Sequence, residues 1–212
     1  FKNHVRFKDK VIKDSIAGNL CRCTGYQPII KAARSLNNRN KIDHFTKNKQ
    51  SIIALLKKIN NKSIAIYKKD KKYFAPRYIQ ELKKILKKNI NSHLLSGGTD
   101  LSLIVTKERK DINSVIYMNS IEELNYIKNN GKYIEVGSTT PLIKFENYIQ
   151  KYYPDFTAIL KRYGSQQIRN VCTIAGNIAT ASPIGDTLPI LLSLDAKVVL
   201  RSIKKTKIVS LN

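Results

Sequence analysis

Residues 93–117 read HLLSGGTDLSLIVTKERKDINSVIY. A short apolar run, His93 to Leu95, stops at Gly97-Gly98. A helical stretch follows from about Thr99 to Lys107, and Ser114 to Tyr117 is extended again. Strand, glycine turn, helix, strand is the unit that decides the fold, and the sequence on both sides repeats the alternation. Upstream, Tyr73-Phe74 is extended and Pro76 to Lys88 is helical. Downstream, Tyr133 to Val136 reads as a strand, and Pro141 to Ile149 and Asp155 to Tyr163 read as helices. A further helix is expected near Asp186 to Leu194, with strands near Lys197 to Arg201 and Lys207 to Val209. Alternation of this kind predicts an α/β domain whose sheet is covered by helices.

Before Tyr73 the pattern differs. DKVIKDSIA (9–17) reads as a short helix ended by Gly18, a left-handed cap position. A polar loop, Asn19 to Gly25, leads to a helix opened by Pro28 and running to about Leu36. Asn37 to Lys49 is polar and reads as a linker, and SIIALLKKI (51–59) has apolar residues at helical spacing until NNKS breaks it. Charge divides the same way. Residues 1–72 carry 19 basic and 4 acidic side chains, residues 73–212 carry 20 and 11. The expected organisation is therefore 1–45, a connecting segment with one short helix over 46–72, and a domain over 73–212.

The formal charge of +24 suggests nucleic acid, but the composition disfavours it. Lys outnumbers Arg 30 to 9, and Asn (19) and Ile (29) are also abundant, a pattern of codon bias that places lysine on any solvated face. The lysines occur in scattered pairs without an aromatic-interleaved or helix-turn-helix pattern. At 42% hydrophobic residues the chain can bury a core. No run of about 18 apolar residues is present, so no transmembrane helix is expected. The opening FKNHVRFKDK lacks an apolar core, and the chain begins at Phe1 rather than Met. The expectation is a piece of a longer protein without a signal peptide.

Two segments offer backbone to a ligand. In the first, Ser96-Gly97-Gly98-Thr99 lies between a strand and a helix, where successive N–H groups can form an anion nest and the absence of Cβ lets a diphosphate approach. An ordinary strand-to-helix turn is the alternative, and the spacing is not the G-x-G-x-x-G fingerprint. The second segment, YGSQQIRNVCTIAGNIATASPIGDTLP (163–189), concentrates small and polar residues between two helices. It reads either as a ligand-contacting loop, with Asn177 and Asp186 as hydrogen-bonding groups, or as a plain connection. His4, His44 and His93 are isolated, and no G-x-S-x-G or similar nucleophile pattern accompanies them.

The three cysteines are Cys21, Cys23 and Cys172. An odd count without a signal peptide points to a reducing, cytoplasmic compartment. Cys21 and Cys23 sit in GNLCRCTGY with glycine on both sides. Thiolates there can hold zinc or an iron–sulfur cluster, or the pair can be packed thiols. A closed site of either metal type uses four ligands, so two more would come from elsewhere.

GNLCRCTGYQPIIKAA resembles the second half of the 2Fe-2S domain of the molybdenum hydroxylases, xanthine dehydrogenase and its relatives. YFAP near residue 73, SGGTDLSLIVTK and IRNVCTIAGNIATASPIGD resemble the FAD-binding domain of the same family, specifically its iron–sulfur/FAD small subunit. The resemblance runs from about Asp14 to Arg201. It implies a helical 2Fe-2S remnant followed by a two-subdomain α/β FAD-binding domain of the PCMH (vanillyl-alcohol-oxidase-like) type. Cys21 and Cys23 are implied as iron ligands, completed in the family by an upstream C-x2-C pair that this sequence does not contain.

Implied FAD contacts are Leu94, Leu95, Ser96, Gly97, Gly98, Thr99, Asp100 and Leu101; Tyr163; Thr173, Ile174, Ala175, Gly176 and Asn177; and Asp186. Ala175 stands where the family usually has the first of two glycines, and Cys172, where it has a small residue, reads as packing. The implied function is electron transfer from the cluster to FAD and on to NAD, with molybdopterin on a partner large subunit. Relatives acting on aldehydes, carbon monoxide or heterocycles share this cofactor order. A basic nucleic-acid-binding protein and an inactive fragment are the competing readings.

Overall fold

The structure is a computed structural model that describes residues 8–36, 42–59 and 62–211. The charged start with His4, the first part of the expected linker (37–41) and the Asn60-Asn61 break lie outside the described residues. Contacts divide the chain into two compact units, 1–61 with 164–166, and 62–163 with 167–212.

The first unit is helical. α1 (Asp9–Ile16) and α2 (Tyr26–Arg34) bury Ile12, Ile30 and Ala33 between them, with Val11 and Ile16 packed alongside. Gly18, at φ +88°, turns the chain out of α1 as expected. α2 starts at Tyr26, two residues before Pro28. Proline still sits within the first turn, where its missing N–H has no helical acceptor to lose. Arg34 pairs with Asp9 and ties the two helices. The expected linker contains α3 (His44–Lys47), capped by Asp43, whose carboxylate accepts from the Thr46 N–H at 2.8 Å. α4 (Lys49–Lys57) buries no residue.

The second unit opens with a hairpin, β1 (Ile64–Lys68) and β2 (Lys71–Ala75), paired antiparallel with Lys68 opposite Lys71. β1, placed by the sequence in the connecting segment, is instead a strand. All five of its residues are exposed, so no buried face marked it. α5 (Ile79–Lys88), β3 (His93–Leu95), α6 (Leu101–Thr106) and β4 (Ser114–Tyr117) follow. β4 lies parallel to both β2 and β3, giving the order β1-β2-β4-β3. Phe74, Leu82, Ile116, Met118 and Ile121 form the core under this sheet. The parallel β3–α6–β4 crossover leaves the Ser96–Asp100 turn at the carboxyl end of β3, the usual place for ligand loops in such sheets.

Beyond a short helical turn (Glu122–Leu124), β5 (Ile127–Asn129) and β6 (Ile134–Val136) form a second hairpin. α7 (Leu142–Ile149) and α8 (Pro154–Leu160) come next. α9 (Gln166–Arg169), α10 (Ile174–Thr180) and α11 (Thr187–Ser193) precede the hairpin β7 (Lys197–Arg201) and β8 (Thr206–Ser210). Leu142, Phe145, Ile149, Phe156, Leu160, Cys172, Ile174 and Leu191 make the core of this half. The stretch 163–189 is therefore not one long loop: it holds α9 and α10. α10 (IAGNIAT) has poor intrinsic helix propensity. It forms because Ile174 is buried and because Thr173 caps it, Oγ1 accepting from the Gly176 N–H at 2.9 Å.

Candidate cofactor-binding site

A cleft of about 360 Å³ is lined by the β3–α6 turn on one side and by Tyr163, Cys172 and α10 on the other. Gly97 brings the sides together: a Cβ on it would lie 2.2 Å from the Val171 carbonyl oxygen, so only glycine allows this approach. Gly98, at φ +71°, turns the chain into α6. The Gly98 carbonyl accepts from the Ser102 N–H at 3.0 Å. The N–H groups of Gly97, Gly98, Thr99, Asp100 and Leu101 have no protein acceptor among the described residues. A row of unpaired amides in a turn is an anion-binding concavity.

Hydrogen bonds fix the opposite wall. Asn177 Nδ2 donates to the Tyr163 hydroxyl at 3.2 Å, and the buried Thr187 hydroxyl donates to Asn177 Oδ1. Thr180 Oγ1 reaches Asp100 Oδ2 at 3.4 Å, linking α10 to the glycine turn. Burial, with Cys172, Asp100 and Asp186 nearby, raises the Tyr163 phenol above its ordinary value. Burial also pushes the Cys172 thiol up to about 11; Cys172 packs in the core beside the cleft, in accord with its reading as packing.

Of the residues the sequence nominated, Leu94 through Leu101, Tyr163, Thr173, Gly176 and Asn177 line this one cleft. Ile174, Ala175 and Asp186 do not. Ile174 is buried in the core of the second half, Ala175 lies in the first turn of α10, and the exposed Asp186 precedes α11. Asp186 stands at the start of α11, whereas the places of Ile174 and Ala175 follow from α10 being a helix, which turns only part of 173–177 toward the cleft. For the same reason Ala179 and Thr180, which also line it, were missed. Their i+3 and i+4 spacing from Gly176 is the signal that would have found them. A larger shallow depression of about 510 Å³ by Leu86, Ile90 and Ile203 has lysines at its rim and no convergent polar groups.

In the first unit, the Cys21 and Cys23 sulfurs stand side by side at 2.9 Å between α1 and α2. The Cys21 N–H donates to the Tyr26 hydroxyl at 3.0 Å, and Thr24, at φ +55°, bends the loop back. The hydrogen bond from Cys23, then backbone amides of Gly25, Cys23 and Thr24, hold the Cys21 thiol below its ordinary value. Two neighbouring thiols on one loop are soft donors of the kind that zinc or an iron–sulfur cluster takes. Among the described residues no group of three or more His, Cys, Asp or Glu side chains converges on a metal position.

The family model for the FAD-binding domain in molybdopterin dehydrogenase matches residues 67–212. The chain belongs to that family. The molybdopterin-dehydrogenase FAD-binding domain is preceded by a match to the 2Fe-2S binding domain over residues 2–34, the segment that carries Cys21 and Cys23. Xanthine dehydrogenase of Emericella nidulans is 25% identical over 259 residues, covering 96% of this chain and 19% of that protein. The nicotinate dehydrogenase FAD-subunit of Eubacterium barkeri is 33% identical over 143 residues, covering 66% of this chain and 48% of that subunit. The chain thus spans less than half the length of these relatives. Among solved structures, carbon monoxide dehydrogenase of Hydrogenophaga pseudoflava superposes with a TM-score of 0.62 at 25% identity, over 69% of this chain and 52% of that one. Quinoline 2-oxidoreductase of Pseudomonas putida 86 shares the fold, with a TM-score of 0.61 at 20% identity over 66% of this chain and 50% of that one. The expected mixed α/β FAD-binding fold behind a helical 2Fe-2S remnant is the fold found. No helix among the described residues is long and apolar enough to cross a membrane.

Proposed function

We propose that this chain is the flavin- and cluster-bearing electron-transfer part of a molybdenum-containing hydroxylase of the xanthine dehydrogenase type. FAD occupies the cleft, Cys21 and Cys23 hold one side of a 2Fe-2S cluster, NAD is the acceptor, and molybdopterin sits on a partner large subunit in the cytoplasm. Residues 1–45 are the cluster-domain remnant, and the flavin domain extends from the β1–β2 hairpin to the end.

The observation that carries the reading is the row of unpaired amides from Gly97 to Leu101, set in one cleft with Thr173, Gly176 and Asn177. Those amides donate to the diphosphate oxygens, and Gly97 and Gly98 keep side-chain carbon out of the way. Tyr163 and Asn177 close the wall with directed hydroxyl and amide groups. Flavin and cluster, when bound, supply the electron-carrying chemistry. No side chain of the chain is required as a general acid or base. Asp186 would contact the cofactor from the start of α11, and Ile174 and Ala175 through backbone N–H groups that have no protein acceptor among the described residues.

Titrating the purified chain with FAD tests this. The expected result is saturable quenching of flavin fluorescence, reversed by ADP, with movement of the Gly97–Leu101 amide signals in a ¹⁵N spectrum. A folded chain that neither quenches the flavin nor moves those signals overturns the reading.

A further inference from the structure

Among the described residues, Glu146 and Arg169 are the charged side chains that are buried, at 6% and 9% side-chain exposure. Glu146 sits on the core face of α7, between Leu142, Phe145 and Ile149, where the helical pattern calls for an apolar residue. Arg169 closes α9. Its Nε lies 3.1 Å from Glu146 Oε2, and its Nη1 donates to the Tyr163 carbonyl oxygen at 3.0 Å. From Tyr163 the connection continues through its hydroxyl to Asn177 and on to Thr187. Five residues from four helices and the turn after α8 are thus joined in one partly buried polar chain that ends at the cleft wall.

A buried ion pair is a poor way to gain stability, because desolvation cancels most of the attraction and well-packed apolar residues do as well or better. What it supplies is direction. A guanidinium held beside a carboxylate by charge keeps its rigid fork in place, and one of its N–H groups is spent on the main chain of the residue whose ring lines the cleft. On either side of that carbonyl the chain is exposed, at Arg162 and Gly164.

We infer that Arg169, anchored by Glu146, is a positioning residue that sets Tyr163 for the flavin cleft, an inference that rests on the cofactor reading of that cleft. It touches no cofactor itself and acts through the Tyr163 main chain and the Tyr163–Asn177 hydrogen bond.

The test replaces the pair by apolar residues, Glu146→Leu with Arg169→Met, in the 212-residue chain. A structural role and a positioning role then separate. The melting temperature is expected to hold or rise, as for other buried pairs replaced whole. The Tyr163 signal in a spectrum labelled at tyrosine Cζ, assigned with Tyr163→Phe, is expected to shift or broaden. The Kd for FAD is expected to rise about tenfold, the size of effect typical for a residue that orients a ligand-contacting group. Arg169→Lys keeps the charge but not the fork, and serves if the double variant fails to fold: it shifts the same tyrosine signal without loss of the fold. In a Tyr163→Phe background, Arg169→Lys adds nothing further to the Kd. A Tyr163 signal left in place by both variants overturns the inference, as does a Kd penalty that simply adds to that of Tyr163→Phe. If the tyrosine signal moves while unaltered protein shows no FAD binding, positioning stands and the flavin reading falls.

Discussion

A Cβ placed on Gly97 would lie 2.2 Å from the carbonyl oxygen of Val171. Both partners in that contact are backbone, so neither can swing aside as a side chain would. Gly97→Ala therefore forces the two walls of the cleft apart. The expected cost is ~3 kcal/mol, the upper part of the range for overpacking, read as a lowered urea midpoint. FAD binding is expected to be lost in conditions where the variant remains folded. An alanine variant as stable as the parent would show that the approach is looser than described.

Thr173 tests the other wall. Its hydroxyl accepts the Gly176 N–H at 2.9 Å and so starts α10. Thr173→Ala is expected to cost about 1 kcal/mol, the usual worth of an N-cap, whereas Thr173→Ser retains the oxygen and most of the stability. Thermal melts of the two variants side by side give the comparison.

Cys172 gives a pH signature. Its thiol, pushed up to about 11 by burial against an ordinary value of 9.0, is neutral in the fold and ionises more readily when unfolded. A raised folded value gives a contribution that is complete below pH 9 and disappears as the pH climbs toward 11. The stability gap between the parent and Cys172→Ala, read by urea unfolding, should narrow between pH 8 and pH 10.5. Alkylation by iodoacetamide followed by mass spectrometry should label Cys21 and Cys23 first, with Cys172 modified only on unfolding, because the thiolate is the reacting form.

For the cysteine pair, Cys21→Ser and Cys23→Ser are made in the enzyme that contains this chain. Each is expected to remove the broad iron–sulfur absorption while leaving the flavin bands in place, since the two sulfurs and the cleft belong to different compact units. Variants that keep a full cluster spectrum would remove these cysteines from its ligands.

The parts of this molecule legible in the sequence are those where one physical signal dominates. Gly97-Gly98 between an apolar triplet and a helical stretch marks a strand-to-helix turn, and the turn lies there at the end of β3. Gly18 after α1 and the CxC loop before α2 are equally local. The misses share a cause, that the deciding contact is distant in sequence. β1 has no buried face to produce an apolar alternation and is held only by pairing with β2. α10 is built from weak helix formers and is stabilised by a cap and by Ile174 in a core assembled from α7, α8 and α11. With α10 unseen, Ala179 and Thr180 could not be assigned to the cleft. Nothing in the residues around Glu146 announces a partner 23 positions further on.

β1 also has a practical consequence. Among the described residues it ends the four-stranded sheet with one backbone edge unpaired, and Ile64, Ile66 and Tyr67 are exposed along it. Such a rim is a template onto which a strand from another molecule can add. Lys62, Lys68 and Lys69 flank it, and like-charge repulsion between them keeps copies apart only while the ionic strength is low. Concentrated stocks of the isolated chain should therefore keep best in dilute buffer, and added salt should favour self-association through this rim.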